Sequence, residues 1–167
     1  MAGADTDPDA RPLAVIDLDG VVADVRHRLH HISGSSKNWG AFFAGVGDDD
    51  VLAEGRAVLE RLAGGHEIVY LTGRPERTRQ ATQDWLDGHE LPRGRLIMRS
   101  DSDRRPARLL KPRLLRSLAR DREVAVVVDD DDAVCAALRE QGWPVLHADW
   151  MTSPAPLREA QESEGRT

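Results

Sequence analysis

The sequence predicts an open parallel α/β sheet of about five strands flanked by helices, and three observations predict it. Short apolar runs alternate with helical patterns along most of the 167 residues. One run, Val124 to Val128, is apolar without a break, as expected of a strand covered on both faces. Three of the runs end in polar clusters: Asp17-Leu18-Asp19-Gly20, Thr72-Gly73-Arg74 and Asp129-Asp130. In such sheets ligands bind beyond the carboxyl ends of the strands, near a switch in strand order, so one rule gathers the three clusters into one crevice.

The strands are expected at Leu13–Asp17, Glu67–Thr72, Arg95–Met98, Glu123–Asp129 and Pro144–His147, joined by right-handed connections. Helices are expected over 51–63, 76–87, 112–121 and 132–141. In the first, Val51, Leu52, Val58, Leu59 and Leu62 fall on one stripe. Gly64-Gly65 ends it, and Pro75 suits the first turn of the second. Residues 1–11 and 154–167 are rich in Pro, Ala, Asp, Glu and Gly without periodicity and read as loose tails around a domain spanning 12–150.

A chain of this length can bury a real core as one domain. No apolar run approaches the roughly 18–20 residues of a membrane span, and the first residues lack the apolar stretch of a secretory signal. Cys135 is the only cysteine, which excludes an intramolecular disulfide and fits a reducing cytoplasm. Its neighbours Ala133, Val134, Ala136 and Ala137 mark it as helix packing. The net charge of −6 hides an asymmetry, because Leu91 to Arg122 carries eleven basic and three acidic residues. That segment is either an anion-binding face or the solvated side of an Arg-rich helix. No glycine-rich phosphate loop followed by Lys-Ser or Lys-Thr is present, which argues against a P-loop kinase.

Asp17 and Asp19 are two carboxylates at i and i+2 on a buried strand end, and charges there need a cation or hydrogen bonds. Such an oxygen-rich tip suits a hard cation such as Mg²⁺, although Asp-Gly is also an ordinary turn. Phosphoryl transfer needs a nucleophile, a cation, donors for the equatorial oxygens and a proton shuttle. Asp17 is the candidate nucleophile. Asp19 is the candidate acid that protonates the leaving alkoxide and then activates water. Thr72 and Gly73 offer a hydroxyl and close-approaching backbone N–H groups for phosphate oxygens, or else only a capped strand-to-helix turn. Lys111 stands out because the chain has 21 arginines and two lysines, and a compact ammonium fits between a carboxylate and a phosphate better than a guanidinium. The adjacent carboxylates Asp129 to Asp132 repel one another unless a cation or a helix N-terminus compensates. Asp130 is the preferred Mg²⁺ ligand with Asp129 in support, and Asp131 and Asp132 read as helix caps.

Asp17-x-Asp19-Gly-Val, Leu-Thr72-Gly-Arg, Lys111 and Val-Asp129-Asp130 together resemble the four ordered motifs of the haloacid dehalogenase-like (HAD) hydrolases, over roughly Pro12 to Ala148. The resemblance implies a Rossmann-like sheet, Asp17 as nucleophile and Asp19 as acid/base. It also implies Mg²⁺ held by Asp17, the backbone carbonyl of Asp19 and an acid of the last motif. The aspartate at position 19 points to a phosphatase or phosphomutase. Thr72-Gly73-Arg74, Met98-Arg99, Asp103-x-Arg105 and Asp129-Asp130 are similar to the 3′-phosphatase domain of polynucleotide kinase–phosphatases. That likeness implies that Arg74, Arg99 and Arg105 bind the substrate phosphate or position the site. Arg104 competes with Arg105 for the last of these roles, since the run reads Asp103-Arg104-Arg105-Pro106.

Between the first two motifs, residues 24–50 are too few for a cap domain, since domains need at least about 50 residues. The expectation is an open site with a local flap. The flap carries Arg26, His27, Arg28, His30, His31, Lys37, Trp39, Phe42 and Phe43, either to hold phosphates and stack bases or as a small core of its own. The sequence therefore predicts a Mg²⁺-dependent phosphomonoesterase acting on a phosphorylated substrate, a terminal phosphate of nucleic acid or nucleotide, with a kinase or ligase partner in trans. A small-molecule phosphatase and a non-catalytic module that binds phosphate ends are the alternatives.

Overall fold

The structure, a computed structural model, describes residues 10–152 and 154–167. Strands β1 (Leu13–Ile16), β4 (Glu67–Pro75), β5 (Gly94–Arg99), β6 (Val124–Asp129) and β7 (Val145–His147) form one sheet in the order β5-β4-β1-β6-β7, every neighbour parallel. The short β2 (Ala23–Asp24) and β3 (Asp50–Val51) pair antiparallel beside it. The helices are α1 (Trp39–Ala44), α2 (Ala53–Ala63), α3 (Arg79–Gly88), α4 (Ala107–Leu118), α5 (Asp132–Glu140) and α6 (Ala155–Arg158).

β1 lies at the centre because its side chains are apolar on both sides of the sheet. Leu13 and Val15 join Val69, Leu71 and Val127 in a core covered by Leu115, Val134 and Leu138 of α4 and α5. Ala14 and Ile16 join Ile68, Tyr70 and Val128 in a second core, covered by Leu59, Trp85 and Leu86 of α2 and α3. This is the period-2 alternation of a strand, with both faces buried. From β1 the chain moves outward through β4 to β5, then returns to the other side of β1 as β6. The switch in strand order thus falls between β1 and β6.

All five expected strands are present, but two segments differ from expectation. α4 begins at Ala107, five residues before the expected start at 112, and holds Pro112 inside. Pro112 has no N–H to donate back along the helix, yet Leu110, Lys111, Pro112 and Leu115 form a buried face that keeps the helix in place. Residues 154–167 are not loose. α6 widens into a π-helical turn over Glu159–Ser163, and Leu157 and Ala160 are fully buried against the second core. Two apolar residues on one face are too short a pattern to show in the sequence. Of the other expected tail, residues 1–9 lie outside the described residues.

Residues 24–50 form no separate domain. A 3₁₀ helix over Arg26–His31 and the short α1 fold onto the sheet, and Leu29, Ile32, Phe42, Phe43 and Val46 join the second core. The two phenylalanines are therefore structural. Trp39 stays half-buried at the edge, packed on both of them.

Candidate active site

The carboxyl edge of β1 turns sharply. The Asp17 N–H donates to Val128 O at 3.0 Å, extending the β1–β6 pairing by one residue. Leu18 O then accepts from the N–H groups of Val21, Val22 and Ala23. Gly20 makes this turn at φ +81°, and a Cβ there would lie 2.2 Å from Asp130 Oδ2. Only glycine meets both demands. α4 follows β5 and starts at the same edge of the sheet, which brings Lys111, in its second turn, over the tips of β1 and β6.

Two charge clusters result. In the first, Lys111 Nζ lies 3.1 Å from Asp17 Oδ2 and 2.5 Å from Asp129 Oδ2. Asp129 Oδ1 accepts from the Asp131 N–H at 3.0 Å. One oxygen each from Asp17, Asp129 and Asp130 lie within 4.8 Å of one another, the only such acidic or metal-ligating group among the described residues. Burial pushes the Asp17 carboxyl up to about 7 against the pull of Lys111, with Asp129 and Asp19 adding to the rise. Burial and the charges of Asp17 and Asp129 likewise raise Asp130 well above the usual carboxylate range. Burial opposes the Lys111 ammonium, but Asp129 and Asp17 outweigh it and hold the group charged. One ammonium cannot offset three buried carboxylates, and a set of hard oxygens at this spacing fits a divalent cation such as Mg²⁺.

In the second cluster two carboxylates alternate with two guanidiniums. Asp19 Oδ1 accepts from Arg74 Nε at 2.9 Å, Arg74 Nη2 at 2.6 Å and Arg28 Nη2 at 3.3 Å. Asp49 Oδ2 accepts from Arg74 Nη2 at 2.8 Å and Arg28 Nη2 at 3.0 Å, and Asp49 Oδ1 from Arg28 Nε at 2.7 Å. His27 Nε2 lies 2.7 Å from the same Oδ1, and Trp85 Nε1 fixes the Asp49 backbone carbonyl at 2.7 Å. Burial works against the charge of Asp19, but Arg74 and Arg28 overcome it and hold the carboxyl below the usual range. Of this cluster, Asp49 is not singled out in the sequence, and Arg28 enters there only as one of the basic flap residues. Arg28 stands in a run of basic flap residues, and Asp49 is hidden in Asp48-Asp49-Asp50, where nothing marks the middle residue as the buried one.

The remaining sequence candidates divide. Thr72 is buried within β4, three residues before its end, and its Oγ1 accepts from the Arg74 N–H at 3.2 Å. Arg74 is fully buried on Asp19 and Asp49. Arg99, also fully buried, donates from Nε to Gly73 O at 3.0 Å and from Nη1 to Arg105 O at 2.7 Å. It thereby ties the Thr72-Gly73-Arg74 stretch of β4 to the loop before α4, while its Nη2 has no hydrogen-bond partner. Arg105 is turned to Asp103 at 3.0 Å and half exposed, outside both clusters. Arg104 donates to the carbonyls of Asp101 and Asp103. Asp131 caps α5 by accepting from Ala133 N at 2.9 Å, and Asp132 opens the helix and pairs with His147 at 3.1 Å. The expected open crevice is not seen. Thr167 is 4% exposed and its Oγ1 donates to Asp19 Oδ2 at 2.6 Å, so the residues after α6 cover the site.

A profile of the polynucleotide kinase PNKP phosphatase domain matches residues 12–150. The chain belongs to this family. It is a phosphatase of the HAD type. No curated protein matches it by sequence. Solved structures share the fold. A chain of the Pnkp1/Rnl/Hen1 RNA repair complex matches at 22% identity and TM-score 0.68, over 86% of this chain and 44% of that one. A second structure of the Pnkp1/Rnl/Hen1 complex gives 23%, 0.69, 88% and 49%. This chain thus spans less than half of each of those proteins. A haloacid dehalogenase-like hydrolase from Streptococcus pneumoniae matches at 16% identity and TM-score 0.59, over 92% of both chains. No helix among the described residues is long and apolar enough to cross a membrane.

Proposed function

We propose that this phosphatase is Mg²⁺-dependent, works through a phosphoryl group carried on Asp17, and removes a terminal 3′ phosphate from nucleic acid or a nucleotide. The observation that carries the mechanism is Asp17 Oδ2 held 3.1 Å from Lys111 Nζ within a group of three buried carboxylates. Asp17, Asp130, Asp129 and the backbone carbonyl of Asp19 would hold the cation, which when bound offsets the charge of the phosphate and of the carboxylates. Lys111 orients Asp17 and offers a point charge to the phosphoryl oxygens. Thr72 and the N–H groups of the Gly73 turn bind those oxygens. Asp19 gives a proton to the leaving oxygen and then takes one from the attacking water. Arg74 and Arg28 favour its ionised form, which suits the second half of the cycle. The first half needs one guanidinium to swing to the incoming phosphate, a role consistent with Arg74.

The nucleic-acid part is supported by the family match and by the arginine-rich segment at 91–122. The solved relatives are assemblies of Pnkp1 with Rnl and Hen1, which supports a kinase or ligase partner in trans. The covered crevice supports a second reading, a phosphatase of small metabolites. A turnover screen with Mg²⁺ across oligonucleotide 3′ phosphates, 5′ phosphates, nucleotides and sugar phosphates separates the two. The 3′-phosphorylated oligonucleotide should show the highest kcat/KM, and chelation with EDTA should stop every reaction. Equal rates on sugar phosphates overturn the nucleic-acid reading; EDTA resistance overturns the metal.

Gly20→Ala tests the metal group independently. The added methyl meets the Asp130 carboxylate and the backbone resists φ +81°, so the Mg²⁺ concentration for half-maximal rate should rise about 10–100-fold. A normal Mg²⁺ titration would remove Asp130 from the ligand set.

A further inference from the structure

The segment that covers the crevice makes a particular set of contacts. Lys37 pairs with Glu159 at 3.2 Å and, more closely, with Glu164. Glu162 takes Arg108 Nη1 at 2.7 Å and the Arg108 N–H at 3.2 Å. The Arg166 guanidinium lies 5.1 Å from the centroid of the Trp39 ring. Beyond it the Thr167 hydroxyl donates to Asp19, and its main chain lies so close over Gly73 that a Cβ there would be 2.1 Å from the Thr167 carbonyl carbon. Gly165, at φ +57°, presses on the Arg104 carbonyl.

Carboxylates on Lys37 and Arg108, a planar cation on an indole and an alcohol on Asp19 are the contacts that a bound strand end makes with phosphates, a base and a terminal hydroxyl. An alcohol donating to the Asp19 carboxyl is also the contact that a released terminal hydroxyl would make there. We propose that residues 159–167 are an intramolecular product mimic, a strap that competes with substrate for the crevice, and that Lys37, Trp39 and Arg108 are the track on which the substrate strand replaces it. The strap stands on the contacts themselves; the track rests on the nucleic-acid reading.

Ala160, buried with Leu157 in the second core, anchors the strap, and the part beyond it is built to leave. Arg108 and Glu159 are well exposed, and exposed ion pairs each hold weakly, at about 0–1 kcal/mol. Tethering does the rest, since a short linker supplies its ligand at an effective concentration of about millimolar. With an intrinsic Kd of about 0.1 mM, such a tethered competitor depresses kcat/KM about tenfold.

Two lesions release it by different routes. The triple variant E164A/R166A/T167V removes the contacts to Lys37 from Glu164, to Trp39 and to Asp19, and Gly165→Ala drives a methyl into the Arg104 carbonyl without touching any contact. Both should raise kcat/KM about tenfold for p-nitrophenyl phosphate, mainly through KM. A synthetic peptide of residues 155–167, fluorescently labelled, should bind the triple variant and inhibit it competitively, and the Thr167→Val peptide should bind less well. Unchanged or lower kcat/KM in both variants, with the melting temperature kept, overturns the strap, as does a peptide that does not bind. Peptide binding does not need turnover, so it decides the strap even where the proposed reaction fails. Displacement of the peptide by a 3′-phosphorylated oligonucleotide no better than by inorganic phosphate overturns the track and leaves the strap standing.

Discussion

Asp17→Asn should abolish phosphoester hydrolysis, lowering kcat by at least about 10⁴-fold, without weakening the fold. The two side chains have the same shape, but a carboxamide does not displace an alkoxide from phosphorus. Stability should hold because the wild-type carboxylate is costly where it stands: burial and its acidic neighbours push Asp17 up to about 7. An asparagine there keeps the space filled and removes one of three clustered charges. The measurements are single-turnover hydrolysis of p-nitrophenyl phosphate and thermal melting in EDTA. Residual activity within about tenfold of wild type would exclude Asp17 as the nucleophile.

Asp49→Ala should have the largest effect on stability. It removes the acceptor shared by Arg28 and Arg74 and leaves two fully buried guanidiniums with Asp19 as their only carboxylate. Breaking a buried pair from one side costs about 3–5 kcal/mol, because the remaining charge is left uncompensated. Asp48 and Asp50 are exposed on either side, so Asp48→Ala and Asp50→Ala should each stay within about 0.5 kcal/mol of wild type. Urea unfolding of the three variants decides it. Equal midpoints would mean that the arginine–aspartate cluster contributes nothing to the fold. The same change frees Arg74 to shift on Asp19, so what activity survives in Asp49→Ala should fall as well.

The strands were legible because each is a short apolar run, and the first cluster was legible because its members sit directly at strand ends. Asp129 ends β6, Asp17 and Asp130 directly follow β1 and β6, and Lys111 was conspicuous for being a lysine at all. The second cluster was only half legible. Arg74 lies in the polar last residues of β4, whereas Arg28 and Asp49 lie in the segment with the weakest periodicity, where burial depends on how a 3₁₀ helix and a two-residue strand settle on the sheet. Pro112 hid the first turn of α4, since proline marks helix starts more often than interiors. The strap was illegible for a different reason. Its composition is that of a solvated tail, and what holds it are cations spread from Lys37 to Arg108, which no local pattern links to Glu159, Glu162 and Glu164.

The central place of β1 also bears on how the molecule is made. Ile16 pairs with Tyr70 on one side and with Val128 on the other, so β1 precedes both of its neighbours in the chain and has them only once β6 is made. Contacts of such long sequence separation are slow to form, because loop closure must precede any gain from pairing. No stretch of chain ending before Asp130 contains the parts of the crevice, and one ending before Lys111 carries its acidic strand end without the ammonium that steadies it. Residues 159–167 leave the ribosome only after those parts, so they close over a crevice whose sequence is already complete.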